Sequence, residues 1–129
     1  MKSDSNITIK EVINSDELKK FVMFPHTLYK DSKYWVAPII KEELEVLNKE
    51  TNPVFNNAIA HYFLAYIDGE IVGRIAALIN WIEVKDLKKK KVRFGWFDFV
   101  DDQNVSKALL EKVIEIGKNN NLEFIEGPV

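Results

Sequence analysis

Apolar residues alternate with polar ones in some stretches of the chain and recur at helical spacing in others, and the two periods predict its elements. Ile7, Ile9 and either Val12 or Ile13 form a short alternating run, the pattern of a first strand. Asn14 stands three residues before Glu17, the spacing of a helix N-cap with its reciprocal partner, and Leu18, Phe21 and Val22 follow on one face. Pro25 is expected to stop or kink that helix, because it lacks a backbone N–H and its ring crowds the preceding turn. An aromatic connector from His26 to Pro38 carries Tyr29, Tyr34 and Trp35. Pro38 opens a second helix in which Ile40, Leu44 and Leu47 share a face between Lys41, Glu42, Glu43 and Glu45, and Asn52-Pro53 ends it.

The sharpest local signal lies between His61 and Asn80. Tyr62 to Ile67 is rich in strand formers, Asp68-Gly69 supplies the positive backbone angles of a tight turn, and Glu70 to Asn80 returns as the second strand. Gly73 inside that strand predicts a bulge or a close backbone approach. Lys85 and Lys88 to Lys91 read as a basic loop, and Val92 to Val100 as a strand dense in aromatics. Asp101-Asp102 offer caps for a helix whose inner face holds Val105, Leu109, Val113 and Ile116, with Asn119-Asn120-Asn121 at its end. Leu122, Phe124 and Ile125 make a last strand, closed by Gly127-Pro128-Val129. The order β-α-α-β-β-β-α-β is that of an α/β or α+β domain with a mixed sheet, whose final strand–helix–strand unit places its two strands parallel.

Composition narrows the chemistry. The chain has 129 residues, fitting one domain, and 47% of them are hydrophobic, enough for a core. Eighteen basic against twenty acidic residues leave a net charge of −2, which offers no general attraction to nucleic acid or anionic lipid. With no cysteine and only His26 and His61, disulfides and thiolate nucleophiles are excluded and a metal site is not expected. The polar stretch Met1 to Asn6 lacks a secretory pattern, and the longest apolar run, Ile71 to Ile82, is too short and too interrupted to span a bilayer. A cytoplasmic protein is the expectation.

Three stretches resemble the GNAT superfamily of acyl-CoA-dependent N-acyltransferases. The hairpin Ala65-Tyr66-Ile67-Asp68-Gly69-Glu70-Ile71-Val72-Gly73-Arg74-Ile75 looks like the family's second and third strands. The Phe94–Val100 strand leading into the helix from Asp102 occupies the place of its cofactor-binding motif, and Leu122–Ile125 is similar to the strand beside it. More narrowly, Phe24-Pro25, Leu28-Tyr29-Lys30, Trp35-Val36, Asn52-Pro53 with Phe55, Val72 to Ala77, Asp101-Asp102-Gln103 and Glu126-Gly127-Pro128-Val129 resemble the start of a longer bacterial GNAT-like family. The resemblance implies the N-terminal half of a single GNAT-like domain, lacking the later strands and helix.

It also implies a reaction: transfer of an acyl group from acetyl-CoA or another acyl-CoA to a small-molecule amine. Phe99, Val100, Gln103, Asn104 and Val105 then lie where the family binds its cofactor, and Asp98 lies on the strand that supplies a general base in some members. Alternation would put Asp98 on one face with Phe94, Trp96 and Val100, and apolar surroundings would raise its pKa. Diphosphate is favoured at a helix N-terminus by free N–H groups and the dipole, but Val100-Asp101-Asp102-Gln103-Asn104-Val105-Ser106 contains no glycine and two carboxylates. A non-catalytic GNAT-like module binding a small molecule or protein is therefore the alternative. Arg74 reads as a surface ion pair or an anion contact, His61 as a strand-edge residue or a base. Tyr29, Tyr34 and Trp35 read as sheet cover or cleft lining, and Lys88–Lys91 as a solvated loop. Phe124 and Ile125 on an unpartnered edge favour a homodimer, or pairing with the remainder of a longer parent chain.

Overall fold

The chain runs β1 (Ile7–Glu11), α1 (Ser15–Leu28), α2 (Ile40–Val46), β2 (Ala58–Ile67), β3 (Glu70–Asn80), β4 (Lys91–Phe99), α3 (Gln103–Asn119) and β5 (Phe124–Glu126) in a computed structural model that describes residues 6–128. The polar start before Asn6, and Val129 of the closing segment, lie outside the described residues. A 3-10 turn at Pro53–Asn56 and a π-helical turn at Ile82–Asp86 complete the path. The strands form one sheet in the order β1-β2-β3-β4-β5, antiparallel except for the parallel β4–β5 pair. This mixed α/β architecture and its element order are those expected from the sequence.

Asp68 (φ 50°) and Gly69 (φ 81°) make the hairpin turn, and both angles are positive as a tight primed turn requires. Gly73 answers to both readings of it. Tyr66 pairs with Ile71 and Ala65 with Gly73, so Val72 is an extra, bulged residue. A Cβ on Gly73 would also lie 2.8 Å from Leu109 Cδ1 and 2.9 Å from Val105 Cγ1, so the glycine lets α3 pack closely on the sheet. Strand β2 begins earlier than the pattern suggests, at Ala58, because Ala58, Ala60 and Tyr62 keep the inward alternation.

Each sheet face carries its own core. On one, Val105, Leu109 and Val113 of α3 pack against Phe63, Ile75 and Val92. On the other, Phe21 and Val22 of α1 and Leu47 after α2 cover Tyr62, Leu64 and Ala76. Burying each large side chain contributes about 1.5–3 kcal/mol.

Helix α1 corrects the expectation for Pro25. The helix continues through the proline to Leu28, and the carbonyl its missing N–H leaves free, that of Phe21, accepts instead from Arg74 Nη1 at 2.9 Å. Asn14 caps the helix through the Glu17 N–H, while Glu17 reaches back to the Ile13 N–H rather than to that of the cap residue. Helix α2 ends at Val46, not at Asn52-Pro53, and Asn52 instead caps the 3-10 turn by accepting from the Val54 N–H. The expected basic loop is partly ordered: Lys85 lies in the π-helical turn and Lys91 in β4.

Candidate functional site

Two features mark β4. Its parallel ladder with β5 holds Lys91 to Phe124, Val92 to Ile125 and Arg93 to Glu126, and stops there. Ion pairs fix this end: Glu126 meets Lys91 at 3.1 Å and Arg93 at 2.8 Å, and Glu83 of the π-helical turn also pairs with Arg93. The hydrogen bond from Arg93 holds the Glu83 carboxyl below the ordinary carboxylate range. Past Glu126 the chain still lies against β4, since a Cβ on Gly127 would stand 2.5 Å from the Phe94 carbonyl oxygen.

The second feature is a bulge. Arg74 pairs with Asp98 and Ala76 with Gly95, so β4 has one residue more than β3 between them. Trp96 absorbs it with φ 46°, a conformation that costs a bulky residue on the order of 1–3 kcal/mol and persists only where surroundings enforce it. Here the indole N–H donates to Glu43 Oε1 of α2 at 3.1 Å. The bulge overturns the expected alternation. Phe94, Phe97, Phe99 and Val100 belong to the α3 face, while Trp96 packs on the α1–α2 face.

Asp98 does not meet apolar surroundings. Arg74 donates to its Oδ2 from Nε at 2.9 Å, with Nη2 of the ion pair also 2.9 Å away, and the Tyr29 hydroxyl donates to Oδ1 at 2.8 Å. Arg74 is not on the sheet surface either: it is 5% exposed, lies over the Phe21 ring, and ties α1 to β3 and β4. Burial and the negative charge of Asp98 push the Tyr29 hydroxyl up to about 12. Desolvation lowers the pKa of Arg74, and its contact with Asp98 opposes that.

Beside Trp96 lies a cavity of about 90 Å³, between α2, the 3-10 turn and the sheet. Val46, Val54, Phe55, Ala76 and Leu78 line it. Its polar neighbours are already bonded: Tyr62 donates to the Leu47 carbonyl, and the Asn52 side chain donates to the Val46 carbonyl and accepts from the Val54 N–H. A larger, open hollow of about 520 Å³ adjoins it at Leu47 and Tyr62, which line both, and reaches Glu11, Asn14, Leu18 and Lys49.

The five residues expected at the cofactor position separate into two groups. Phe99 and Val105 turn into the α3-face core, Phe99 against the Phe97 ring at 4.8 Å and Val105 fully buried. Val100 donates its N–H to the Val72 carbonyl. Gln103 opens α3, and the Asn104 N–H donates to the Asp102 carboxylate at 2.9 Å. The start of α3 thus carries its own carboxylate where a diphosphate would seek donors, so it does not fit as a phosphate cradle.

The remaining candidates scatter. His61 lies on β2 beyond the β1 ladder, whose last pair is Glu11–Phe63, and its Nδ1 is 2.7 Å from Glu11 Oε2. Tyr34 is almost fully exposed, while Trp35 packs on His26 and Tyr29. Sequence reasoning passed over Glu43, which the pattern places among the polar flanks of α2. Its signal is only three-dimensional, since it depends on the bulge turning Trp96 toward it. Among the described residues no His, Asp or Glu group could hold a metal, and no helix is long and apolar enough to cross a membrane.

No family model matches the sequence. The chain is 32% identical over 120 residues to Protein YghO of Escherichia coli, covering 93% of this chain and 30% of that protein. It is 30% identical over 108 residues to a bacterial ceramide synthase of Caulobacter vibrioides, covering 83% of this chain and 28% of that one. The chain therefore spans less than a third of either relative. Its fold matches an aminoglycoside acetyltransferase from an uncultured soil metagenomic sample, solved with sisomicin, at TM-score 0.65 and 15% identity over 99% of this chain and 80% of that one. An acetyltransferase from Clostridium acetobutylicum, solved with acetyl-CoA, aligns at TM-score 0.66 and 14% identity over 95% and 80%. The fold is that of the GNAT acetyltransferases.

Proposed function

We propose that this chain forms the N-terminal part of an acyl-CoA-dependent N-acyltransferase. In the reaction an amine nitrogen attacks the thioester carbonyl, a C–N bond forms, the C–S bond breaks, and the thiolate leaves as the ammonium proton is lost. The observation that carries the reading is the order of the mixed sheet, in which β4 runs into α3 and lies parallel to β5, the arrangement of the acetyltransferases whose fold it matches. Asp98 is the candidate base on that strand, and accepting a proton there costs it part of its bonding to Arg74 and Tyr29. An Asp98→Asn variant separates the two roles, since loss of a base lowers kcat at neutral pH more than at high pH. The name of the Caulobacter relative makes a long-chain amino alcohol the first acceptor to try.

The start of α3 favours a second reading, a GNAT-fold module that binds without catalysing, because Asp102 already occupies a donor there. On either reading acetyl-CoA binds this chain alone no tighter than about 0.1–1 mM, or roughly 4–6 kcal/mol. The test is release of free CoA thiol from acetyl-CoA and palmitoyl-CoA by the whole encoded polypeptide, across short-chain and long-chain amines. These 129 residues contain no cysteine to add a thiol background. Amine-dependent thiol release supports acyl transfer. No release with any amine, alongside measurable ligand binding, supports the module.

A further inference from the structure

We infer that the corner between β3 and β4 docks on an anionic membrane surface: Ile82 and Leu87 enter the headgroup layer, and the lysines around them meet lipid phosphates. The inference goes beyond acyl transfer, and its test reads vesicle binding alone.

The geometry begins with the π-helical turn. The Leu87 N–H donates to the Ile82 carbonyl at 3.1 Å and closes the turn, so these two residues begin and end it. Both are large, apolar and exposed, at 44% and 56%. Lys88 then takes φ 57°, and the Lys89 N–H donates to the Glu83 carbonyl at 2.8 Å, which folds the lysine run back against the turn. Lys85 reaches over the Trp81 ring at 5.3 Å. Lys85, Lys88, Lys89 and Lys90 are all exposed. The N–H groups of Glu123 and Phe124 donate to the Lys90 carbonyl, setting an exposed acid and a further exposed apolar residue beside the run.

Charge decides the partner. Glu83 and Glu126 are engaged by Lys91 and Arg93, so they do not answer the exposed lysines. Asp86 and Glu123 oppose the four lysines only in part. The whole chain carries a net charge of −2, so this corner is positive on a molecule that is otherwise negative. An anionic surface therefore attracts the corner and repels the remainder, which orients the chain. Each lysine held near an acidic leaflet strengthens binding roughly fivefold. Nucleic acid also offers phosphates, but it would leave Ile82 and Leu87 in water, whereas a bilayer buries them.

The test is cosedimentation of the chain with vesicles of phosphatidylcholine, alone or with about 30% phosphatidylserine, at about 0.1 M salt. The chain should pellet with the anionic vesicles and stay in solution with the neutral ones. Lys88→Glu with Lys89→Glu should weaken binding at least about twentyfold, since each lysine contributes roughly fivefold. Lys19→Glu with Lys20→Glu, the same charge change at exposed positions of α1, should weaken it far less. Ile82→Ser with Leu87→Ser should weaken it about tenfold and leave the urea midpoint unchanged, because both residues are exposed. In small bicelles of the same lipids, ¹H–¹⁵N spectra should show a shift of the Trp81 indole N–H signal and none for Trp35 or Trp96. Equal pelleting with both vesicle types, pelleting with neither, or equal loss in the two glutamate pairs overturns the inference. Binding to polyuridylate as tight as to the anionic vesicles, and untouched by the serine pair, overturns it in favour of nucleic acid.

Discussion

The two faces of the sheet are held by different forces. The α3 face is a closed apolar layer in which Val105, Leu109 and Val113 meet Phe63, Ile75 and Val92. The α1–α2 face mixes apolar packing with a directional network: Arg74 joins the Phe21 carbonyl to Asp98, Tyr29 joins Asp98, and Trp96 joins Glu43. Apolar contacts are non-directional and degrade locally when one is lost. A buried ion pair fails as a unit, because removing one partner strands the other. The first face therefore supplies stability, and the second places α1, α2 and the bulged part of β4 in one arrangement.

The contrast can be broken at Arg74. Arg74→Ala leaves Asp98 without its partner and the Phe21 carbonyl without a donor, and it should destabilise the fold by about 3–5 kcal/mol in urea unfolding. Replacing the pair with Arg74→Met and Asp98→Leu should recover part of that loss, though not the bond to Phe21, whose desolvation alone costs about 1–3 kcal/mol. A single variant no worse than a surface mutation would mean that the network holds nothing.

Leu109→Ala probes the other face. It should cost about 2–5 kcal/mol through lost burial and the cavity it leaves. Unlike Arg74→Ala, it should leave the Trp96 indole signal where it is. A Trp96 shift in the α3-face variant would show that the two faces are not separable.

How much of this was legible in the sequence divides along the same line. The α3 face was readable because its signals are local and periodic: Val105, Leu109 and Val113 at helical spacing, with Asp102 as the cap. On the other face the Asn14 cap of α1 was equally local, but the polar network was not legible, because it joins residues far apart in the chain. Pro25 reads as a helix stop or kink; the helix does not stop there, and Arg74, 49 positions later, donates to the carbonyl that the proline leaves free. Strict alternation put Asp98 with Phe94, since no residue type announces a bulge at a tryptophan with positive φ. Glu43 and Trp96 are 53 positions apart, and only the bulge brings them together.

A smaller effect is expected at the hairpin, which belongs to neither face. Gly69 holds φ 81° with open space around it, so a side chain there meets strain but no clash. Gly69→Val should lower stability by roughly 1–3 kcal/mol, because a β-branched residue resists positive φ. Gly69→Asn should cost less, since asparagine tolerates the left-handed region. Equal denaturation midpoints for the two variants would mean that the strain is relieved elsewhere in the turn.

The smallest effect, and the one that most sharpens the contrast, is the pH dependence that Tyr29 gives the polar face. Tyr29→Phe removes one hydrogen bond to Asp98 and should cost about 0.5–1.5 kcal/mol at neutral pH. The alkaline limb is more specific. In the unfolded chain the hydroxyl loses its proton near its ordinary value of 10.0, whereas in the folded chain it holds on up to about 12. Between these values the unfolded state binds fewer protons than the folded one, so stability falls as pH rises. The contribution is complete below pH 10 and gone once pH passes the folded value. Tyr62 is raised as well, by burial alone, so Tyr29→Phe should make the decline above pH 10 shallower without abolishing it. The apolar face holds no ionisable group in its buried core, and Leu109→Ala should shift the whole stability curve downward with the same alkaline slope. Urea unfolding from pH 8 to 11 on the three proteins decides the matter: an unchanged slope in Tyr29→Phe would mean that its hydroxyl ionises alike in both states, and that the bond to Asp98 does not hold its proton.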